Sequence, residues 1–334
     1  MLTAVAAIFV FLLVVLLHEL GHFTVAKIVG IKVNEFAIGM GPKIFQKTKG
    51  ETLYTLRALP IGGFVRMEGE EESSNDPRSF QNVSPLSRIA VIAAGAFMNF
   101  VLAIVVLSIV AFNVGVPTTT IDEIIPQSPA EIYGVLPGDT IKKIDSVEIN
   151  TWEEIVNTIN STMPGQTIVL EIERNSETVF LDVNPAQDGD RMIIGIVPKG
   201  ESKFFASIRA GFEDTFFFLK MMFQFIGMLF TGQVSTNDLA GPIGVINEVG
   251  QAAKMGINSL LLILGFISIN LGFFNLLPIP ALDGSKIIFI LIEIIRGKPI
   301  DPDKEGFIHL IGFVFLISLM ILVTYKDLIK INIF

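Results

Sequence analysis

His18-Glu19-Leu20-Gly21-His22 closes a run from Met1 that carries no charged side chain. An H-E-x-x-H pentad on a helix sets its two imidazoles one turn apart on the same face. Two neutral imidazoles so placed supply half of a tetrahedral zinc site. The adjoining Glu19 has the chemistry of a general base toward a metal-activated water. The plain alternative is a histidine pair hydrogen-bonded to neighbouring helices. Ionisable side chains cost about 2.5–3.5 kcal/mol each at the centre of a bilayer, so a pentad inside an apolar run reads as a functional site. The chain has three histidines, and the pentad holds two of them.

Composition agrees with that setting. Of 334 residues 51 % are hydrophobic and 17 % charged, and the mean hydropathy is +0.63. A soluble domain carries about 25 % charged residues, so the chain reads as an integral membrane protein with room for a modest soluble domain. A net charge of −9 argues against a nucleic-acid partner, which wants a basic face. With no cysteine in the chain, any zinc must be held by His, Asp or Glu. The first apolar run lacks a basic leader and leads straight into His18, so it is expected to be a retained span rather than a cleaved signal.

Four runs are long and apolar enough to cross a hydrocarbon core of about 30 Å. They are Leu2 to about Ala26, Ile89 to Val116, Ile257 to Leu277 and Phe307 to Tyr325. Phe204 to Phe230 is also apolar, but Arg209, Glu213, Asp214 and Lys220 interrupt it. That pattern suits an interfacial helix better than a fifth span. Lys and Arg concentrate between Lys27 and Arg88 and between Lys286 and Lys304, which places both loops on the cytoplasmic side of the membrane. The pentad then sits toward the cytoplasm, and residues 116–200 and both termini face outward.

The expected fold is a polytopic α-helical membrane protein of about four transmembrane helices, with an inserted β-rich domain. Its parts are a membrane domain at 1–115, the inserted domain at 116–200, and an interfacial helix with a second membrane domain at 201–334. In the inserted part, Thr140–Ile144, Thr167–Ile172, Thr178–Val183 and Met192–Val197 are short runs bounded by turn residues, as strands are. Thr151-Trp152-Glu153-Glu154 and Ser128-Pro129-Ala130-Glu131 read as capping boxes that open helices. Ser128-Pro129-Ala130, Gly134 to Ile141 and Ile144-Asp145 resemble the bacterial PDZ pattern. PDZ domains take a peptide, often a C-terminus, as an added strand.

A third zinc ligand is not adjacent to the pentad. The elongated zincin pattern fails, because Val25 and Ile28 stand in its downstream positions. Glu35 and Glu51 are nearby carboxylates that nothing singles out. Asn275-Leu276-Leu277-Pro278-Ile279-Pro280-Ala281-Leu282-Asp283-Gly284 is the better candidate. Pro278 and Pro280 cannot continue a helix, and broken backbone at membrane depth survives only where protein or a wet cavity surrounds it. His18, His22 and Asp283 would leave one coordination position open, the plan of a catalytic zinc site. Asp283 also reads as a helix N-cap.

Other polar residues receive ordinary readings. His309 is expected to be packed or interfacial rather than a ligand. Asn270 is expected to hydrogen-bond across helices, Gly265 and Gly272 to allow close helix packing, and the acidic run Glu68 to Glu72 to be solvated loop.

The pentad, Gly95 with Asn99, and Asn275 to Gly284 together resemble the site-2 protease family of intramembrane zinc metalloproteases. The stretch Leu59-Pro60-Ile61-Gly62-Gly63-Phe64-Val65-Arg66-Met67-Glu68-Gly69-Glu70 is similar to the bacterial regulator-of-sigma-E protease branch. That branch's best-known enterobacterial members carry two tandem PDZ domains where this chain has room for one. The resemblance implies one Zn2+ per chain on His18, His22 and Asp283, with Glu19 as general base. It implies Asn275 at the substrate or oxyanion, and Asn99, Gly62, Gly63, Pro278 and Pro280 among the substrate-binding residues. Thr52–Glu70 matches a membrane-associated β-hairpin, with Gly62-Gly63 permitting its turn. The implied activity is cleavage, within the lipid bilayer, of transmembrane segments of single-span proteins such as anti-sigma factors or signal-peptide remnants. A PDZ domain would engage peptide C-termini. The rival classes are a membrane-tethered PDZ adaptor and a transporter. Broken helices also mark transport sites, but no internal repeat is detectable.

Overall fold

The first apolar run folds into one helix, α1 (Leu2–Ile28), whose buried residues are Ala6, Ala7, Val10, Val14, His18, Gly21, His22 and Ala26. These recur every three or four residues and so share one face. The two histidines therefore continue the stripe that packs the helix. The structure is a computed structural model and describes residues 1–70, 74–233 and 241–330. Contacts divide it into two units, Met1–Leu107 with Gly211–Phe334 and Ser108–Ala210.

After α1 come β1 (Val33–Lys49) and β2 (Thr52–Met67), antiparallel overall. Both double back. Glu35–Ile38 pair with Arg66–Gly63 on one side and with Leu53–Leu56 on the other. The expected hairpin within Thr52–Glu70 is corrected here: the turn falls at Gly50-Glu51, and Gly62-Gly63 lie inside β2. Gly39, Gly41 and Pro42 punctuate β1 in the sequence and hid it. Gly39, for instance, has φ +82° and approaches the backbone of Leu59. Glu68 is not solvated loop: Ser74, Asn34 and Lys32 hydrogen-bond its carboxylate and pull its pKa down to about 2. Glu70 is ion-paired with Lys286, and Glu71 and Glu72 lie outside the described residues. α2 (Pro85–Val114) follows.

The second unit begins with β3 (Val116–Ile124) and α3 (Pro129–Ile132), then β4 (Thr140–Ile144), β5 (Val147–Glu148) and α4 (Trp152–Asn160). It continues through β6 (Ile168–Arg174), β7 (Glu177–Val183), β8 (Ala186–Asp188), β9 (Arg191–Ile193) and β10 (Ile196–Glu201). The main sheet has the order β10-β3-β4-β6-β7, with β5 on β4. Ile121, Ile141, Ile144, Ile155, Leu170 and Ile172 fill its core. The Thr151 capping box forms. The Ser128 box does not: Ser128 Oγ donates to Gly195 O, and Glu131 accepts from the Gln127 N–H. The run Met192–Val197 is broken at Gly195 (φ +82°), so β9 pairs with β8 and β10 with β3.

The chain returns through α5 (Phe204–Phe230), α6 (Pro242–Met255), α7 (Ile257–Leu276), α8 (Asp283–Arg296) and α9 (Pro302–Lys330). Among the described residues four helical stretches are long and apolar enough to cross a membrane: Leu2–Ile28, Pro85–Val114, Ile257–Leu276 and Asp303–Ile329. α5 packs Phe218, Leu219, Met222 and Ile226 against residues of α2 and α7. α6 was invisible to hydropathy because Asn247, Glu248, Gln251 and Lys254 dilute it. Its N-terminus is capped from α9 by Asp327, which accepts from the Gly241 and Gly244 N–H groups at 3.1 and 2.8 Å. Gly265 and Gly272 of α7 do admit close neighbours on α2. Asn270, by contrast, bonds within its own helix, donating to Phe266 O. α8 is tied to α2 by Glu293, which holds Arg88 at 2.6 and 3.0 Å.

Candidate metal centre

α1 presents both imidazoles toward α2, and the absence of a side chain at Gly95 lets the two helices close on them. A Cβ at Gly95 would fall 2.7 Å from a ring carbon of each histidine. Gly21 plays the reciprocal part against the Ala94 carbonyl. α8 carries Asp283 into the same place. His18 Nε2 and His22 Nε2 are 3.1 Å apart. Asp283 Oδ2 lies 3.1 Å from the former and 3.4 Å from the latter.

This donor set fits zinc. Bonds of about 2.0–2.2 Å at tetrahedral angles set ligand atoms about 3.3 Å apart, close to the observed spacings. Asp283 Oδ2 is buried and makes no hydrogen bond, and an orphaned carboxylate oxygen is costly unless something else compensates it. The outer nitrogens point the same way. His22 Nδ1 lies 2.9 Å from the Val91 carbonyl, which can only accept. Nδ1 therefore carries the hydrogen, and the Nε2 lone pair is free for a metal. Asn99 holds its amide nitrogen 3.3 Å from His18 Nδ1, while its amide oxygen has no partner. A half-turn of that amide hands the oxygen to the ring N–H and leaves His18 Nε2 unprotonated as well.

The remaining candidates sort cleanly. Asn275 reaches the cluster, its Nδ2 3.3 Å from His18 Nε2. Glu19 lines the cavity over the donors, and a Cβ at Gly63 would come 3.1 Å from its Cγ. Gly62 faces Met40 instead, and Pro280 stands against Gly312 of α9. Pro278 and Pro280 lie in the loop between α7 and α8. Asp283 occupies the first turn of α8 and is not its N-cap, which is Leu282. Glu35 is taken by Arg57 and Thr55 at 2.7 and 2.8 Å. Burial pushes its carboxyl up, but these partners outweigh burial and hold it below the usual range. Glu51 is held by Lys27 and Arg78. Neither glutamate reaches the histidines. His309 is packed, as expected, and accepts the Ala281 N–H.

A cavity of about 1010 Å3 covers the cluster, lined by Glu19, Phe64, Val65, Arg66 and Met67 among others. Lys286, one turn beyond Asp283, pairs with Glu70 on its wall at 2.6 Å. Sequence reading missed this pair because its members are far apart. It also missed the Val91 carbonyl, since a backbone acceptor leaves no mark in residue types. Gly95→Ala is expected to weaken zinc binding by about 10–100-fold, because the methyl group must displace a ring in a close-packed seam. Zinc competition with a chromogenic chelator on purified protein measures it.

The sequence profile of peptidase family M50 matches residues 6–319. A Clostridium acetobutylicum protein carrying a zinc metalloprotease name is 41 % identical over 330 residues, 97 % of each chain. The zinc metalloprotease RasP of Geobacillus kaustophilus is 33 % identical over 98 % of this chain and 97 % of its own. The regulator of sigma-W protease RasP of Bacillus subtilis is 32 % identical over 98 % of both. Among solved structures, the PDZ domain of an SdrC-like protein from Listeria innocua matches 26 % of this chain and 96 % of itself, at 23 % identity and a TM-score of 0.22.

Proposed function

This chain belongs to peptidase family M50 and is a multi-pass zinc metalloprotease, and from that premise we infer that it cleaves transmembrane segments of single-span membrane proteins. The observation that carries this reading is the meeting of His18, His22 and Asp283 among apolar helices, beneath a cavity that Glu19 also lines.

His18, His22 and Asp283 would hold the ion. Zinc, when bound, supplies Lewis-acid polarisation and lowers the pKa of a water toward about 7. Glu19 takes the proton of the attacking water and passes it to the leaving amine. The Asn275 amide donates to the oxygen on which charge develops. Asn99 and the Val91 carbonyl hold the rings in the coordinating tautomer. A helical substrate satisfies its own backbone bonds, so it must unwind before attack, and its freed groups need partners at membrane depth. Gly63–Arg66 pair with β1 on one side, and Phe64 to Glu68 line the cavity. This edge suits an extended substrate added as a further strand.

Residues 116–200 are assigned as a PDZ domain between membrane domains at 1–115 and 201–334. A groove of about 200 Å3 lies between α4 and the β9–β10 segment, lined by Trp152, Ile155, Ile159, Met192 and Ile194. It suits an apolar peptide C-terminus. The bacterial sources of the relatives favour a bacterial plasma membrane, and the basic loops favour the metal centre toward the cytoplasm with the PDZ domain outside. The Bacillus subtilis relative's name, a regulator of sigma-W protease, supports an anti-sigma factor as one substrate, with signal-peptide remnants as another.

The test is cleavage of a model transmembrane peptide by detergent-purified protein. Cleavage is expected to stop with 1,10-phenanthroline and to return with added zinc. Cleavage that ignores the chelator, or that acts only on soluble peptides, would refute the reading.

A further inference from the structure

The loop between α7 and α8 joins Asn275 to Asp283, and its backbone donors can be accounted for one by one. Leu277 N–H goes to Phe274 O, Ile279 N–H to Leu277 O and Leu282 N–H to Ile279 O. Pro278 and Pro280 have none. Only the Ala281 N–H leaves the loop, and it donates to His309 Nδ1 of α9 at 3.0 Å. Ala281 is at φ +76°, a region that favours glycine. The other non-glycine residues with positive φ, Gln127, Asp145, Asn175 and Ser176, all lie in the Ser108–Ala210 unit. Among the described residues, Ala281 is thus alone in its unit, two positions before the carboxylate of the metal centre.

α9 supports this bend at a second point. Gly312, one turn beyond His309, lies so near the loop that a Cβ there would come 2.5 Å from the Pro280 carbonyl carbon. Phe289 of α8 packs against the His309 ring, centroids 5.5 Å apart and planes at 76°. Because Nδ1 accepts, the ring hydrogen sits on Nε2, which is buried without a hydrogen-bond partner and 3.8 Å from Glu305 Oε1.

We propose that His309 is a positioning residue: by accepting the Ala281 N–H it holds the left-handed bend from which Asp283 reaches the two imidazoles. This rests on the zinc site proposed above and deepens it. Without that acceptor Ala281 relaxes to negative φ, and the peptide plane that sets the start of α8 turns with it.

The experiment measures zinc affinity of full-length purified variants by chelator competition, beside the thermal midpoint of the metal-free protein. His309→Leu is expected to lose about 10–100-fold in zinc affinity, the usual cost of losing a group that orients a ligand, with the metal-free midpoint near wild type. His309→Asn, whose Oδ1 can stand where Nδ1 stood, is expected to restore affinity. Ala281→Gly in the His309→Leu background is also expected to restore it, because glycine holds the bend unaided. A merely structural histidine would not be rescued by a change at position 281. His309→Ala serves as the same test where the leucine variant does not fold. Wild-type zinc affinity in His309→Leu, or no rescue by either second change, overturns the proposal. Asp283→Ala separates the two claims. If it loses zinc while His309→Leu keeps it, only the positioning role fails; if it keeps zinc, the site assignment fails.

Discussion

Glu19→Gln is expected to keep zinc bound and to slow cleavage of a transmembrane peptide by about 10²–10⁴-fold, the usual contribution of a positioned general base. The glutamine has nearly the same shape but cannot accept and return a proton. Glu19 contributes none of the three converging donor atoms, which belong to His18, His22 and Asp283, so metal content should stay at the wild-type level. Shape matters at this position, because β2 passes close by at Gly63. A bulkier replacement would confuse lost chemistry with lost packing. Single-turnover rates measured beside zinc content decide the matter, and a variant that cleaves at an undiminished rate would remove Glu19 from the mechanism.

Asp283→Ala is expected to lower zinc affinity by at least about 100-fold, more than loss of a supporting residue costs, because a coordinating atom itself disappears. The helix that carries it should survive. α8 is anchored independently by the Arg88–Glu293 and Lys286–Glu70 pairs. Asp283→Asn, which keeps a neutral oxygen in place, is expected to fall between alanine and wild type. Chelator competition on the purified variants gives the ranking. Alanine binding zinc as tightly as wild type would mean that the third ligand lies elsewhere.

Much of this arrangement was legible from residue types. The pentad announces itself because ionisable side chains are costly inside an apolar run, and Asp283 stands at a proline-broken helix that must be buried or wet. The spans were readable because hydropathy is local and additive. What residue types do not mark depends on neighbours distant in the chain. Glu70 looked like part of a solvated acidic run, and only folding brings it to Lys286. Asn270 looked like a cross-helix donor but bonds one turn back along its own helix. β1 was concealed by glycines and a proline that, inside a doubled-back sheet, shape the strand rather than end it. The Val91 carbonyl that orients His22 is a backbone atom and could have belonged to any residue.

The distance along the chain between His22 and Asp283, atoms that finish within 3.4 Å of each other, has a consequence for biogenesis. A nascent polypeptide emerges amino end first, so both imidazoles reach the bilayer while most of the protein is still unmade. The carboxylate arrives only after α2, the inserted domain, α5, α6 and α7 have been synthesised. On the proposed ligand set, an ion bound before that point would have two protein ligands and would exchange easily. On that reading, the unfinished molecule would lack proteolytic competence until its last ligand is in place.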